Sequence, residues 1–283
     1  MADLQKLAGE IYQAGIRAVH AKDPANAERC AQLAAIAHQR NDPSMLFASQ
    51  QLAHLTELGY FPAIEVMGVM GSGKSSIAKL LAKILEKKSA RRVVFKDGDD
   101  FHPDENIAQM RKQLPLNDQQ RIAFYRNGYE FLAAAEYPAE VRITCLSALG
   151  AKHRAALLGR YKLGFQDPEF CAATLDESPA HWLPSPRLKH VLILCALKPY
   201  AVTLAEMDHA AKHASQDRLF RGQVHFAQAT YERPELLQDQ YANLRVPPPW
   251  LGIGIEVCDY RTADGRYDST ALERRLREIV GFS

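Results

Sequence analysis

The chain has no long hydrophobic run, no paired cysteines and no excess of one charge, and each absence narrows what it can be. No apolar segment approaches the roughly 20 residues needed to cross a bilayer, so no membrane role is expected. Lys and Arg number 35 against 33 Asp and Glu, a net charge of +2 over 283 residues. That is too little to argue for nucleic acid or an anionic membrane as partner. No basic, aromatic-rich tract of the kind that grips single strands is present either. The five cysteines (Cys30, Cys145, Cys171, Cys195, Cys258) lie far apart, with no C-x-x-C and an odd total. They read as reduced cytosolic thiols, three of them inside probable buried strands. The opening MADLQKLAGEIYQ lacks a basic start followed by an apolar core, so no secretory signal is expected and the compartment reading is cytoplasmic. Internal repeats and low-complexity tracts are missing too. Hydrophobic residues at 47% and charged residues at 24% describe an ordinary globular protein. The length suits one large α/β domain, or a medium one with an appendage.

What the chain does have is centred on Ala63 to Leu85, AIEVMGVMGSGKSSIAKLLAKIL. It contains Gly68-x-x-Gly71-Ser72-Gly73-Lys74-Ser75, the G-x-x-x-x-G-K-[ST] pattern of a phosphate-binding loop. The apolar run Ile64–Val69 ahead of it predicts a buried strand. Behind it Ile77, Leu80, Leu81, Ile84 and Leu85 recur at helical spacing, with Lys79, Lys83 and Lys87 on the opposite, solvated stripe. Strand, glycine turn and helix are the context the motif requires. Backbone N–H groups of Gly71 to Ser76, aided by the helix N-terminus, would then face an anion. Lys74 would reach the terminal phosphates of ATP, and the Ser75 hydroxyl would ligate Mg²⁺.

Residues 1–60 differ from the rest. Leu4, Leu7, Ile11, Ala14 and Ala18 share one helical face; Asp23-Pro24 and Asp42-Pro43 each open a further segment with an N-cap followed by Pro at the first helical position. The last of these segments runs through Met45, Ala48, Leu52 and Leu55 to a stop at Gly59. Three short helices of this kind form either an extension packed on the main domain or an element for dimerisation or partner binding. From residue 61 onward, apolar runs (Ile64–Val69, Val93–Phe95, Val141–Cys145, Val191–Leu197, Ile253–Val257) alternate with helical patterns at 74–88, 104–112, 118–135, 150–159, 200–214 and 270–281. That order predicts an α/β fold: a three-layer, doubly wound parallel sheet of about five strands, with ligands at the carboxyl ends of the strands. The proline-rich stretch 164–188 interrupts the rhythm as an inserted surface loop, and Pro247-Pro248-Pro249 forms a rigid approach to the last strand.

A second constellation follows the second strand: Asp97-Gly98-Asp99-Asp100-Phe101-His102-Pro103. Neighbouring parallel strands would deliver these carboxylates to the crevice of the phosphate loop. One carboxylate near Mg²⁺ and another near an acceptor hydroxyl are parts that phosphoryl transfer needs. Aspartates in a Gly-containing turn can also be mere turn residues.

These motifs together resemble the gluconokinases, a family of P-loop small-molecule kinases related to the shikimate kinases. The resemblance is carried by Gly68–Ser75, by Asp97–Pro103 with Asn106 and Met110, and by Pro115-Leu116-Asn117-Asp118-x-x-Arg121. Weaker matches are Ser147-Ala148-Leu149 with Arg154, and His225-Phe226 after Arg218 and Arg221, in the place of the family's lid. It covers residues 64–160 well, 190–260 loosely and the first 60 not at all. It implies transfer of the ATP γ-phosphoryl group to the 6-hydroxyl of D-gluconate. Lys74 and the loop amides would then hold the phosphates, and Ser75 and Asp97 would organise Mg²⁺. Asp99 would accept the hydroxyl proton, and His102 would bond the polyol. Arg121 would fork the carboxylate, with Arg154 and His225 also facing the acceptor, while Arg218 and Arg221 would stabilise the charge in transfer. Bland alternatives stand beside these: Arg121 as a surface residue of a helix capped by Asn117 and Gln120, His102 as a turn residue, and the lid arginines as solvated. The family's lysine after S-A-L is Gly150 here, with Lys152 two positions away, Phe124 replaces a Trp, and the lid is two residues longer. These departures leave the acceptor open between gluconate and another small hydroxylated metabolite. A nucleotide-binding regulator that has lost transfer is the reading from a different class.

Overall fold

The structure is a computed structural model that describes residues 43–111, 116–160, 185–188, 190–213, 234–247, 251–262 and 267–280, with scattered residues between 6 and 41. Five strands form one parallel sheet: β1 (Ala63–Met67), β2 (Arg92–Asp97), β3 (Glu140–Leu146), β4 (Val191–Leu197) and β5 (Gly252–Glu256), in the order β2-β3-β1-β4-β5. All five residues of β1 and six of the seven in β4 are buried, so both faces of the central sheet are covered. β2 is an edge strand with Arg92 exposed and the rest half-buried, and the charges of Arg92 and Lys96 suit an edge. One expectation, that the phosphate loop and the Asp97 turn sit on neighbouring strands, needs correction here. β3 lies between β1 and β2, so the two strands are not adjacent.

The flanking helices are α1 (Pro43–Leu58), α2 (Lys74–Lys88), α3 (Asp104–Arg111), α4 (Asp118–Ala133), α5 (Ala151–Ala155), α6 (Tyr200–His213), α7 (Pro234–Asn243) and α8 (Ser269–Val280). Helix α2 buries Ile77, Ala78, Leu81, Ala82, Ile84 and Leu85 and leaves its lysines exposed, as its periodicity predicts. Helix α8 buries Leu272, Leu276, Ile279 and Val280 and packs against α2. Asp268 starts α8, its side chain accepting from the N–H groups of Thr270 and Ala271. The capping box at Asn117 and Gln120 is present at the start of α4.

Within the first 60 residues, Met45, Phe47, Leu52 and Leu55 of α1 belong to the same hydrophobic core as β1 and α2. Gly59, with φ 73°, ends α1 and donates its N–H to the Leu55 carbonyl at 2.7 Å. Gln13 donates to the carbonyl of Gly252, the first residue of β5. The segment around Cys30, most of the 164–188 loop, and Pro248 and Pro249 lie outside the described residues.

Two helices differ from expectation. The predicted helix 150–159 is α-helical only over α5. It then widens into a five-residue π turn, Ala156–Arg160, where Gly159 sits at φ 84°, outside the helical region. Helix α7 was not anticipated, although Pro at its first position is a start signal. Cys145 and Cys195 are buried in β3 and β4, while Cys258 falls after β5 in a 3₁₀ turn and is only half-buried.

Candidate active site

The phosphate loop leaves the carboxyl end of β1 at the middle of the sheet. Gly73 caps α2 at φ 91° and ψ 8°, a left-handed conformation that costs glycine little. The first-turn amides of α2 lack intrahelical partners and point out of the helix start, the arrangement that receives an anion. Ser72 Oγ is buried with no partner among the described residues. An unsatisfied buried hydroxyl beside such amides fits a site shaped for phosphate oxygens.

At the end of β2, a side chain at Gly98 would collide with the Cys145 carbonyl of β3. The absence of a Cβ there lets the Asp97–Asp99 turn lie tight on the sheet. Asp97 accepts the Asp99 N–H at 3.4 Å and pairs with Lys79 at 3.9 Å. Cys145 bridges the two motifs, its Sγ 3.4 Å from Ser75 Oγ and 3.6 Å from Asp97 Oδ1. Burial pushes its thiol up to about 12, so it stays protonated. The oxygens of Ser75 and Asp97 therefore flank one sulfur, and the two motifs meet across β3 although their strands are not adjacent. Among the described residues no cluster of three His, Cys, Asp or Glu could hold a metal by itself. A hydroxyl and one carboxylate suit Mg²⁺, which takes most of its ligands from phosphate and water.

Asp99 has its carboxyl raised above the ordinary range, chiefly by burial and then by Asp97; Lys74 opposes the shift and Asp100 adds to it. Lys74 and Asp99 thus lie within electrostatic reach of each other. His102 stacks on Phe124 with centroids 3.9 Å apart, and burial lowers it to about 4, so it is neutral at physiological pH. Buried Asn106 donates to the Gln120 carbonyl and lies 3.4 Å from His102 Nδ1. With that amide donating, the ring proton sits on Nε2. Arg121, partly buried in the first turn of α4, makes no ion pair among the described residues and lies close enough to Tyr125 to act on it electrostatically.

Arg154 is placed differently from expectation. It is buried, and its Nη1 donates to the carbonyls of Leu149, Ala148 and Arg245. That is the placement of a tie between two backbone segments, not of a guanidinium presented to an acceptor. Gly150 starts α5, its carbonyl accepting from His153 and Arg154. Arg218, Arg221 and His225 lie outside the described residues.

Glu65 was hidden in sequence inside an apolar run. Its Oε1 accepts the Leu146 N–H at 3.0 Å, while its buried Oε2 has no partner among the described residues. Burial drives its carboxyl well above the ordinary 4.5, with the Leu146 bond and Lys74 opposing. As pH rises past that ordinary value, the unfolded chain ionises Glu65 before the folded one does, so a penalty absent at lower pH grows above about 4.5. Glu65→Gln keeps the acceptor for Leu146 and is expected to stabilise the fold by about 1–3 kcal/mol at pH 8, with little effect at pH 4. Urea unfolding at both pH values checks this; an equal effect at both would show that ionisation plays no part.

No protein-family profile matches the chain. Curated relatives do. A probable gluconokinase of Rattus norvegicus is 39% identical over 92 residues, 32% of this chain and 46% of that protein. A gluconokinase of Arabidopsis thaliana is 33% identical over 107 residues, 38% and 50% of the two chains. The thermoresistant gluconokinase of Escherichia coli K12 is 35% identical over 92 residues, 32% and 49%. Over that third of its length, the chain is similar to gluconokinases. It spans about half the length of the curated relatives it matches. A crystal structure of a gluconokinase from Sinorhizobium meliloti overlays with a TM-score of 0.48 at 23% identity, covering 78% of this chain and 91% of that one. The fold is described by its own five-stranded parallel sheet in the order β2-β3-β1-β4-β5, with the glycine loop leaving the central strand.

Proposed function

We propose that this chain transfers the γ-phosphoryl group of ATP to a hydroxyl of a small sugar acid, D-gluconate before others, to give 6-phosphogluconate. The observation that carries the reading is the meeting, at one end of the sheet, of Ser75 and Asp97 about Cys145, with Asp99 within electrostatic reach of Lys74. In this reading the acceptor oxygen bonds to Pγ, the bond from Pγ to the β,γ-bridging oxygen breaks, and ADP leaves. Asp99 takes the hydroxyl proton; its raised carboxyl makes it a stronger base than an ordinary aspartate. Lys74 and the amides of Gly71 to Ser76 bind and orient the phosphates. Ser75 and Asp97 would hold Mg²⁺, which would supply neutralisation of the phosphate charge. Neutral His102 bonds a polyol hydroxyl, and Arg121 forks the acid's carboxylate. Arg218 and Arg221 belong to this reading as donors to the phosphoryl group in transfer, and His225 as a further polar contact. No described helix is long and apolar enough to cross a membrane.

A second acceptor class is favoured by one specific observation. Arg154 is turned into backbone carbonyls, and Gly150 stands where the family resemblance puts a lysine, so two cationic groups are missing from the acceptor side. A smaller or less acidic polyol would need fewer of them. ADP release measured over gluconate, related polyhydroxy acids and neutral polyols separates the readings. Turnover that is highest with gluconate supports the first, and turnover with neutral polyols alone supports the second. No turnover with any acceptor, from folded protein that binds Mg-ATP, rejects transfer altogether.

A further inference from the structure

The phosphate loop is held at its apex by two side chains from elements far away in sequence. Gln240, on α7, accepts the Met70 N–H through Oε1 at 2.8 Å across 170 residues. Lys198, at the end of β4, donates from Nζ to the Gly71 carbonyl at 2.8 Å, and its charge is met by Glu206 of α6 at 2.8 Å. The two supports are joined. Tyr241, next to Gln240, donates to the Lys198 carbonyl at 2.7 Å and shares a 2.6 Å bond with Thr203 of α6. Thr203 and Met207 of α6 are also the side chains that a Cβ at Gly71 would meet, at 3.0 and 3.1 Å. Beyond α7, the Arg245 N–H donates to the Leu149 carbonyl, and Arg154 closes back onto the Arg245 carbonyl. One helix and the four residues after it therefore grip both the phosphate loop and the loop at the end of β3.

From this we infer that Gln240 is a positioning residue for nucleotide binding. Through the Met70 amide it holds the apex of the phosphate loop in the shape that aims the following amides at phosphate. The chemistry suits the task. A carboxamide oxygen accepts an N–H bond without bringing negative charge beside a phosphate site, as a carboxylate would. Leu237, one turn earlier, is fully buried and α7 packs against α6, so the Gln240 amide is delivered from a fixed base. The inference rests on reading Gly68–Ser75 as a nucleotide loop, but not on the identity of the acceptor.

The test is Mg-ATP affinity by calorimetry, with thermal melting in parallel, for the full chain and two variants. Gln240→Met keeps length and volume but cannot accept the Met70 N–H. It is expected to bind Mg-ATP about tenfold more weakly, the scale of one lost hydrogen bond, with its melting temperature nearly unchanged. Gln240→Glu retains an acceptor but adds charge, and is expected to bind Mg-ATP more weakly at low salt and to recover as salt rises. A purely structural Gln240 would lower the melting temperature and leave the affinity of the folded fraction alone. Should Gln240→Met fail to fold, Gln240→Leu, which also lacks an acceptor, takes its place: weaker Mg-ATP binding by the folded protein upholds the inference, and wild-type affinity overturns it. Variants that bind as tightly as the wild-type chain overturn the inference alone, whereas a wild-type chain that does not bind Mg-ATP overturns the nucleotide-loop reading itself.

Discussion

Lys74→Ala is expected to remove about 3–5 kcal/mol of transition-state stabilisation, the scale of losing a preorganised charge aimed at a transferring phosphoryl group. Negative charge builds on the oxygens of that group as the bond to ADP breaks, and an ammonium fixed at the start of α2 meets it without reorganising. In rate terms the loss is about two to four orders of magnitude in kcat/KM. The fold should tolerate the change. Lys74 is the first residue of α2, where alanine is a better helix former, and the helix is anchored by the buried face from Ile77 to Leu85. Steady-state kinetics with a melting curve on the same sample checks both halves. A loss of activity that merely follows a loss of folded protein would remove Lys74 from the chemistry.

Asp99→Asn should lower kcat by about two to four orders of magnitude, the range of a lost general base, while Mg-ATP affinity stays within about twofold. The substitution keeps shape and hydrogen bonding but abolishes proton acceptance. Two aspartates share this turn, and their assignments differ in what the variant should do. Asp97 lies beside Cys145 and, through it, Ser75. Asp99 has its carboxyl raised, by burial first and then by Asp97 itself. A metal ligand shows itself by losing nucleotide affinity and turnover together, a base by losing turnover alone. Equal losses in Asp99→Asn would therefore move Asp99 to the metal side.

How much of this was legible in sequence depended on whether the signal was local. The end of β4 at Leu197 and both ends of α2 could be read directly, because an unbroken apolar run and an amphipathic stripe after Gly73 are self-contained patterns. The Asn117–Gln120 cap was equally local. What failed required knowing which element lies beside which. The insertion of β3 between β1 and β2 is a property of topology, and no spacing in the sequence reports it. Arg154 gives no sign that three carbonyls converge on its Nη1, since one of them, from Arg245, is 91 residues away. Gln240 falls in a segment that the family resemblance reaches loosely, but its bond to Met70, 170 residues away, has no local sign. Two misses did carry signals. A glutamate at 65 within an otherwise apolar strand is the pattern of a buried acid. Pro234, followed by Leu237 and Tyr241 at helical spacing, was a usable start signal for α7.

The central claim is a transfer, so the most direct measurement follows the phosphorus atom. The chain is incubated with γ-labelled ATP, Mg²⁺ and D-gluconate, and the labelled products are separated and identified. The account predicts label in a phosphate monoester of gluconate on its terminal hydroxyl, in amounts equal to ADP formed and abolished in Asp99→Asn. Label found only in inorganic phosphate, at a rate that gluconate does not change, would contradict it.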